Sequence, residues 1–240
     1  MNKNLSTPYD CTKHVNMLLA KRSALAIITY PNKDPQLESM NEPFRDECQF
    51  EVADYQAGQY AEAVNQTYWR SCCVVLAAGL KKGLKDNVVV SKLHAEVPQS
   101  FFAVDLENLR SQLSQDDLKD LAAFIRADFI DKGISFETVT LPSEMAPDYG
   151  FDSRQGFDWI LELTLAWHVS VMRLCRLGDF VTKVDGPVIS RSDQIGRFAI
   201  VKALAKEGFT RVGGVSLPAA LKCSSFSWET IMDNARDKIT

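Results

Sequence analysis

The segment from Tyr60 to Gly83, "YAEAVNQTYWRSCCVVLAAGLKKG", limits the fold more than any other part of the chain. Val64, Tyr68, Cys72, Val75, Leu76, Gly79 and Leu80 recur at three- and four-residue spacing, which draws one apolar stripe along an α-helix. Gly83 is a natural stop. A helix of this kind is stable only when other elements cover its stripe.

The flanking segments supply the cover. Thr7 and Pro8 form a helix start, and Cys11, Val15, Leu18 and Arg22 fall on one face with Leu19 beside it, which predicts one helix over about residues 8–22. "ALAIIT" (24–29) and "CQFEV" (48–52) read as strands separated by a Pro-rich loop. These are few elements for an independent core, so residues 1–57 are read as a small α+β unit that begins part-way into its fold. "NVVV" and "FFAVDL" read as strands after the long helix. Ser114 caps a further helix, with Asp117 three residues on; Leu118, Leu121, Ala122, Ile125 and Phe129 form its buried face and Gly133 closes it. "SFETVTL" reads as a strand, followed by a short helix near Ser143 and a more apolar one over Asp158–His168. "VMRLCRLGDFV", "RFAIVKAL" and "TRVGGVSL" make the last third strand-rich. A closing helix from about Ser227 turns Trp228, Ile231, Met232 and Ala235 to the core.

Composition excludes several classes of function. A net charge of −4 gives no bulk attraction to nucleic acid or anionic membrane, so association with RNA is expected through a local patch or mostly through protein neighbours. The most apolar run, Phe157 to Leu174, is broken by Asp158, Glu162, His168 and Arg173 and does not read as a membrane span. Six cysteines without a Cys-x-x-Cys read as reduced, mostly buried thiols; of Cys72 and Cys73, about 100° apart on a helix, one is expected inside and one at the periphery. His14, His94 and His168 are too scattered for a metal site.

The motifs of phosphate and nucleophile chemistry are missing. No glycine-rich phosphate loop or nucleophile elbow occurs, and the glycine pair in "RVGGVS" reads as a bulge or tight turn. "GDF" followed by "DGP" (185–187) reads as strand, turn, strand. Lys81, Lys82 and Lys85 suit a helix C-terminus, while Arg173, Arg176, Arg191 and Arg197 are the weak candidates for RNA contact. No catalytic, cofactor-binding or metal-ligating residue is therefore assigned, and no cofactor is expected.

The order "YWRSCCVVLAAGLKKGLKD", "FFAVDL", "LSQDDLKDLAAFIRADFIDKGISFETVTLP", "RLGDFV…DGPVIS" resembles the N-terminal half of threonyl-tRNA synthetase, across nearly the whole chain. The resemblance implies an α+β protein: a partial TGS-like (ubiquitin-like β-grasp) unit at 1–57, then a threonyl/alanyl-tRNA synthetase editing-type domain at 58–240. That family's editing site has His-x-x-x-His on the long helix and Cys-x-x-x-His after the "GDF" strand. The matching positions here are Arg70 and Val74, then Val184 and Val188. Valine neither ligates metal nor moves a proton, and arginine stays protonated. The resemblance is closer to a truncated, threonyl-tRNA-synthetase-like family, that of mitochondrial large ribosomal subunit protein thirty-nine, through "MNKN.STPY.C..H", "YWRSC", "FETV", "RLGDFV…GP.I.R" and "GVSLP". It implies a non-catalytic structural constituent of that subunit in the mitochondrial matrix, beside other large-subunit proteins and rRNA, with no membrane or small-molecule substrate. The alternatives are a free-standing tRNA-editing deacylase and a TGS-containing RNA-binding module. The resemblance also implies that a first strand and a presequence lie outside this chain. Three valines suit burial better than solvent, so Val74, Val184 and Val188 are expected to fill the old cleft by apolar packing.

Overall fold

A computed structural model describes residues 2–56, 58–95, 97–142 and 171–240. The helices expected near Ser143 and over Asp158–His168 lie outside the described residues.

The N-terminal helix is two helices. In α1 (Pro8–Val15), Thr7 Oγ1 accepts from the Asp10 amide. Asn16 (φ −156°, ψ 111°) then leaves helical geometry, and its Oδ1 accepts from the amides of Leu18 and Leu19 to start α2 (Met17–Arg22). The single helix expected over 8–22 is thus corrected: an Asn side chain that caps a new helix outcompetes continuation of the old one. Three antiparallel strands follow in order β2-β1-β3: β1 (Ser23–Thr29), β2 (Gln36–Glu38) and β3 (Gln49–Asp54). The short β2 carries no apolar alternation and escapes a sequence reading. Strand β1 is buried on both faces. Ala26 and Ile28 pack with Met40 and Phe44, whereas Leu25 and Ile27 enter the main core. The first unit therefore shares its core with the rest of the molecule.

The long helix α3 (Ala61–Gly83) is the axis of that core. Its amphipathic stripe understates its burial, because every residue from Ser71 to Leu80 is buried. Cys72 and Cys73 are both fully buried, which corrects the expected one-in, one-out arrangement. Strands β4 (Val89–His94) and β5 (Phe102–Glu107) follow, and β9 (Ile195–Lys206) and β10 (Phe209–Pro218) complete an antiparallel sheet β4-β5-β10-β9. Phe102, Val104 and Leu106 turn toward α3, while Ala103 turns toward the C-terminal helix α5 (Ser225–Lys238). Trp228, Ile231, Met232 and Ala235 do pack there.

The glycine pair marks a bulge. Gly213 faces Lys202 but Gly214 faces Ile200, leaving Val201 as the extra residue. Both glycines are sites of close approach: a Cβ on Gly213 would lie 2.4 Å from Ile239 Cδ1, and one on Gly214 would lie 2.6 Å from the Ala199 carbonyl oxygen.

Helix α4 (Gln115–Ile125) begins with the expected capping box, in which Ser114 Oγ accepts from the Asp117 amide and Asp117 accepts from the Ser114 amide. Its last turn widens into a π-turn at Arg126–Ile130, and Gly133 follows at φ +58°. The third sheet, β6-β7-β8, contains β6 (Phe136–Pro142), β7 (Val171–Leu177) and β8 (Phe180–Val184). Its tight turn is at Gly178 (φ +61°) and Asp179. At Asp185–Pro187 the chain leaves β8 without entering another strand, so the strand expected after "DGP" is absent.

Candidate functional site

Helix α3 and the strap leaving β8 bring the four singled-out positions to one place. Arg70 Nη1 donates to the Pro187 carbonyl over 2.7 Å. Gly186 lets the guanidinium lie against the backbone, since a Cβ there would come within 3.0 Å of Arg70 Cζ. Val74, Val184 and Val188 are buried members of the main core. Burial pulls the Arg70 pKa down from its ordinary range, and the nearby Asp185 carboxylate opposes that fall.

The strap is pinned from several sides. The Ile189 amide donates to Ser71 Oγ at 2.9 Å, and Ser71 Oγ in turn donates to the Thr67 carbonyl. The Val188 amide donates to Ser39 Oγ at 3.0 Å. Asn41 Nδ2 donates to the carbonyls of Ser190 and Phe136, each at 2.8 Å. Gln194 Nε2 reaches the carbonyls of Lys21 and Ser23. The bonds from the Val188 and Ile189 amides satisfy backbone donors that would be costly to bury unpaired. Sequence reasoning missed Ser39, Asn41, Ser71 and Gln194, whose partners are remote in the chain.

A polar network beside the strap joins the first unit to β6 and β7. Arg173 Nη2 donates to Glu38 Oε2 at 2.6 Å, and Thr138 and Thr140 donate to Glu42. Burial raises the Glu38 pKa, and Arg173 counteracts it. A second network sits on β4, β5 and β10. Asp105 accepts from Arg211 Nε at 2.8 Å, and its other oxygen meets His94 Nε2 at 2.7 Å. Burial pushes Asp105 upward, but bonds from Arg211 and His94 outweigh it and hold its pKa below the ordinary value.

The cations singled out for RNA are largely committed elsewhere. Arg173 pairs with Glu38, Arg176 with Glu137 and Arg191 with Asp193. Arg197 lies 5.7 Å from the Trp228 ring centroid. Lys82, read as a helix-end cation, pairs with Asp128 at 2.5 Å. His14 is exposed, and His168 lies outside the described residues.

Buried thiols offer no nucleophile. Burial pushes Cys72 and Cys175 up to about 12 and Cys73 higher still. Among the described residues, no group of His, Cys, Asp and Glu is placed to hold a metal ion, and no helix is long and apolar enough to cross a membrane.

No protein-family model matches the chain. The chain is similar to large ribosomal subunit protein mL39 of Drosophila melanogaster, with 24% identity over an alignment 249 positions long that covers 98% of this chain and 72% of the relative.

Proposed function

We infer that this chain is a structural constituent of the large subunit of the mitochondrial ribosome, serving mitochondrial translation. The observation that carries this is the similarity to large ribosomal subunit protein mL39, which runs through both the N-terminal unit and the α3-centred core rather than one motif. The role is non-catalytic, and the partners are neighbouring large-subunit proteins and rRNA in the mitochondrial matrix.

In the finer reading, residues 1–57 are a TGS-like unit and residues 58–240 a degenerate synthetase editing-type domain. Two features support it. The positions corresponding to the two ligand pairs, Arg70 and Val74 with Val184 and Val188, converge where α3 meets the strap after β8. Their side chains are a guanidinium occupied by a carbonyl and three buried valines, none able to activate water. The same point disfavours the tRNA-editing deacylase.

Sedimentation of mitochondrial lysate through a sucrose gradient at low salt tests the role. The endogenous protein is expected in the large-subunit and monosome peaks. Confinement to the soluble top fractions contradicts the role.

A further inference from the structure

The break at Asn16 has an outward consequence. Val15 is 85% exposed, Leu18 74% and Met17 42%. Among the described residues, no other four-residue window exposes three large apolar side chains. These positions do not serve the fold: α1 buries Pro8 and Thr12, and α2 buries Ala20. The knuckle is nevertheless tied by hydrogen bonds on both sides. Asn16 caps α2 with its side chain, while its own amide donates to the Thr12 carbonyl and closes α1. An apolar knob held in one conformation loses little entropy on docking.

Charge defines the partner. From Cys11 to Lys33 the chain has no Asp or Glu but holds Lys13, His14, Lys21, Arg22 and Lys33. Arg22 pairs with Asp54 at 2.8 Å. Lys13, His14 and Lys21 are exposed and have no ion-pair partner among the described residues. The apolar centre is aliphatic and thioether. Unpaired bases are held by aromatic rings or arginine planes, whereas Val, Met and Leu fill pockets between protein elements.

We propose that the α1–α2 knuckle docks an acidic, amphipathic segment of a neighbouring large-subunit protein, with Val15, Met17 and Leu18 as apolar anchors and Lys13 and Lys21 facing its carboxylates. This rests on the ribosomal role above.

The test replaces the endogenous protein in cells with the full chain, either wild-type or Val15→Asp/Leu18→Asp, and compares their gradients. Carbodiimide cross-linking of purified wild-type large subunits, read by mass spectrometry, is the second arm. The double variant is expected to fall about tenfold or more in the large-subunit peak, as loss of an interface anchor does. Lys13 or Lys21 is expected to join an Asp or Glu of another protein. Wild-type levels of the variant in that peak overturn the docking site alone. So does 254-nm irradiation of the wild-type subunit that fixes residues 13–21 to rRNA. A wild-type chain missing from the large subunit overturns the ribosomal role itself. Should the variant fail to fold, the cross-linking arm decides: carboxylate adducts at Lys13 or Lys21 uphold the site, and their absence from subunits containing the protein overturns it.

Discussion

Arg70 on α3 and Pro187 on the strap after β8 are joined by a 2.7 Å hydrogen bond across 117 residues of chain. The bond commits the only ionisable side chain among the four convergent positions to holding the strap. Arg70→Met keeps the aliphatic stem but strands a carbonyl. It is expected to lower the unfolding free energy by about 1–3 kcal/mol, the range for a lost hydrogen bond to a charged donor. Urea denaturation at neutral pH measures it; an unchanged midpoint and slope would mean the bond contributes nothing.

Val74 is fully buried between α3 and its cover. Val74→His places an imidazole among the apolar neighbours of the main core. The change should destabilise the fold by about 2–4 kcal/mol, through a buried polar group and altered volume. A neutral effect in thermal denaturation would indicate that water reaches this position.

Gly79 sets the approach of α3 to α4, because a Cβ there would lie 2.1 Å from Ile125 Cγ1. Helix propensity alone favours Gly79→Ala by about 1 kcal/mol. Overpacking opposes it by about 1–3 kcal/mol and wins, since Ile125 is itself fully buried. The Gly79→Ala/Ile125→Ala pair should be less destabilised than the sum of its single changes, and strict additivity in a double-mutant cycle would refute this account.

Asp105 has a native pKa held below its ordinary value of 3.8. Its contribution to stability is therefore complete above that value and disappears as the pH falls through the lower native pKa. Asp105→Asn should cost about 2 kcal/mol at pH 7, because Arg211 and His94 lose a charged acceptor. It should also flatten the acid limb of the stability curve. Denaturation midpoints followed from pH 7 downward give both outcomes.

The legible parts of the fold were those encoded locally. The period of residues 60–83 announced α3, Ser114 and Asp117 announced the start of α4, and Gly213 with Gly214 announced the β9–β10 bulge. Burial of Cys73 was illegible because its cover comes from β4 and β5: its Sγ donates to the His94 carbonyl at 3.1 Å. The break at Asn16 was equally hidden, since the same apolar spacing fits one helix or two and only the cap decides. At the candidate site, Arg70, Val74, Val184 and Val188 were singled out by resemblance alone. Ser71 and Ile189, 118 residues apart, left no local signal.

Stoichiometry in purified mitochondrial large subunits tests the structural role most directly. Quantitative mass spectrometry after a salt wash that strips loosely bound factors should find this chain equimolar with the other large-subunit proteins. Substoichiometric recovery that declines with each wash would contradict a constituent role and make the protein a passing visitor.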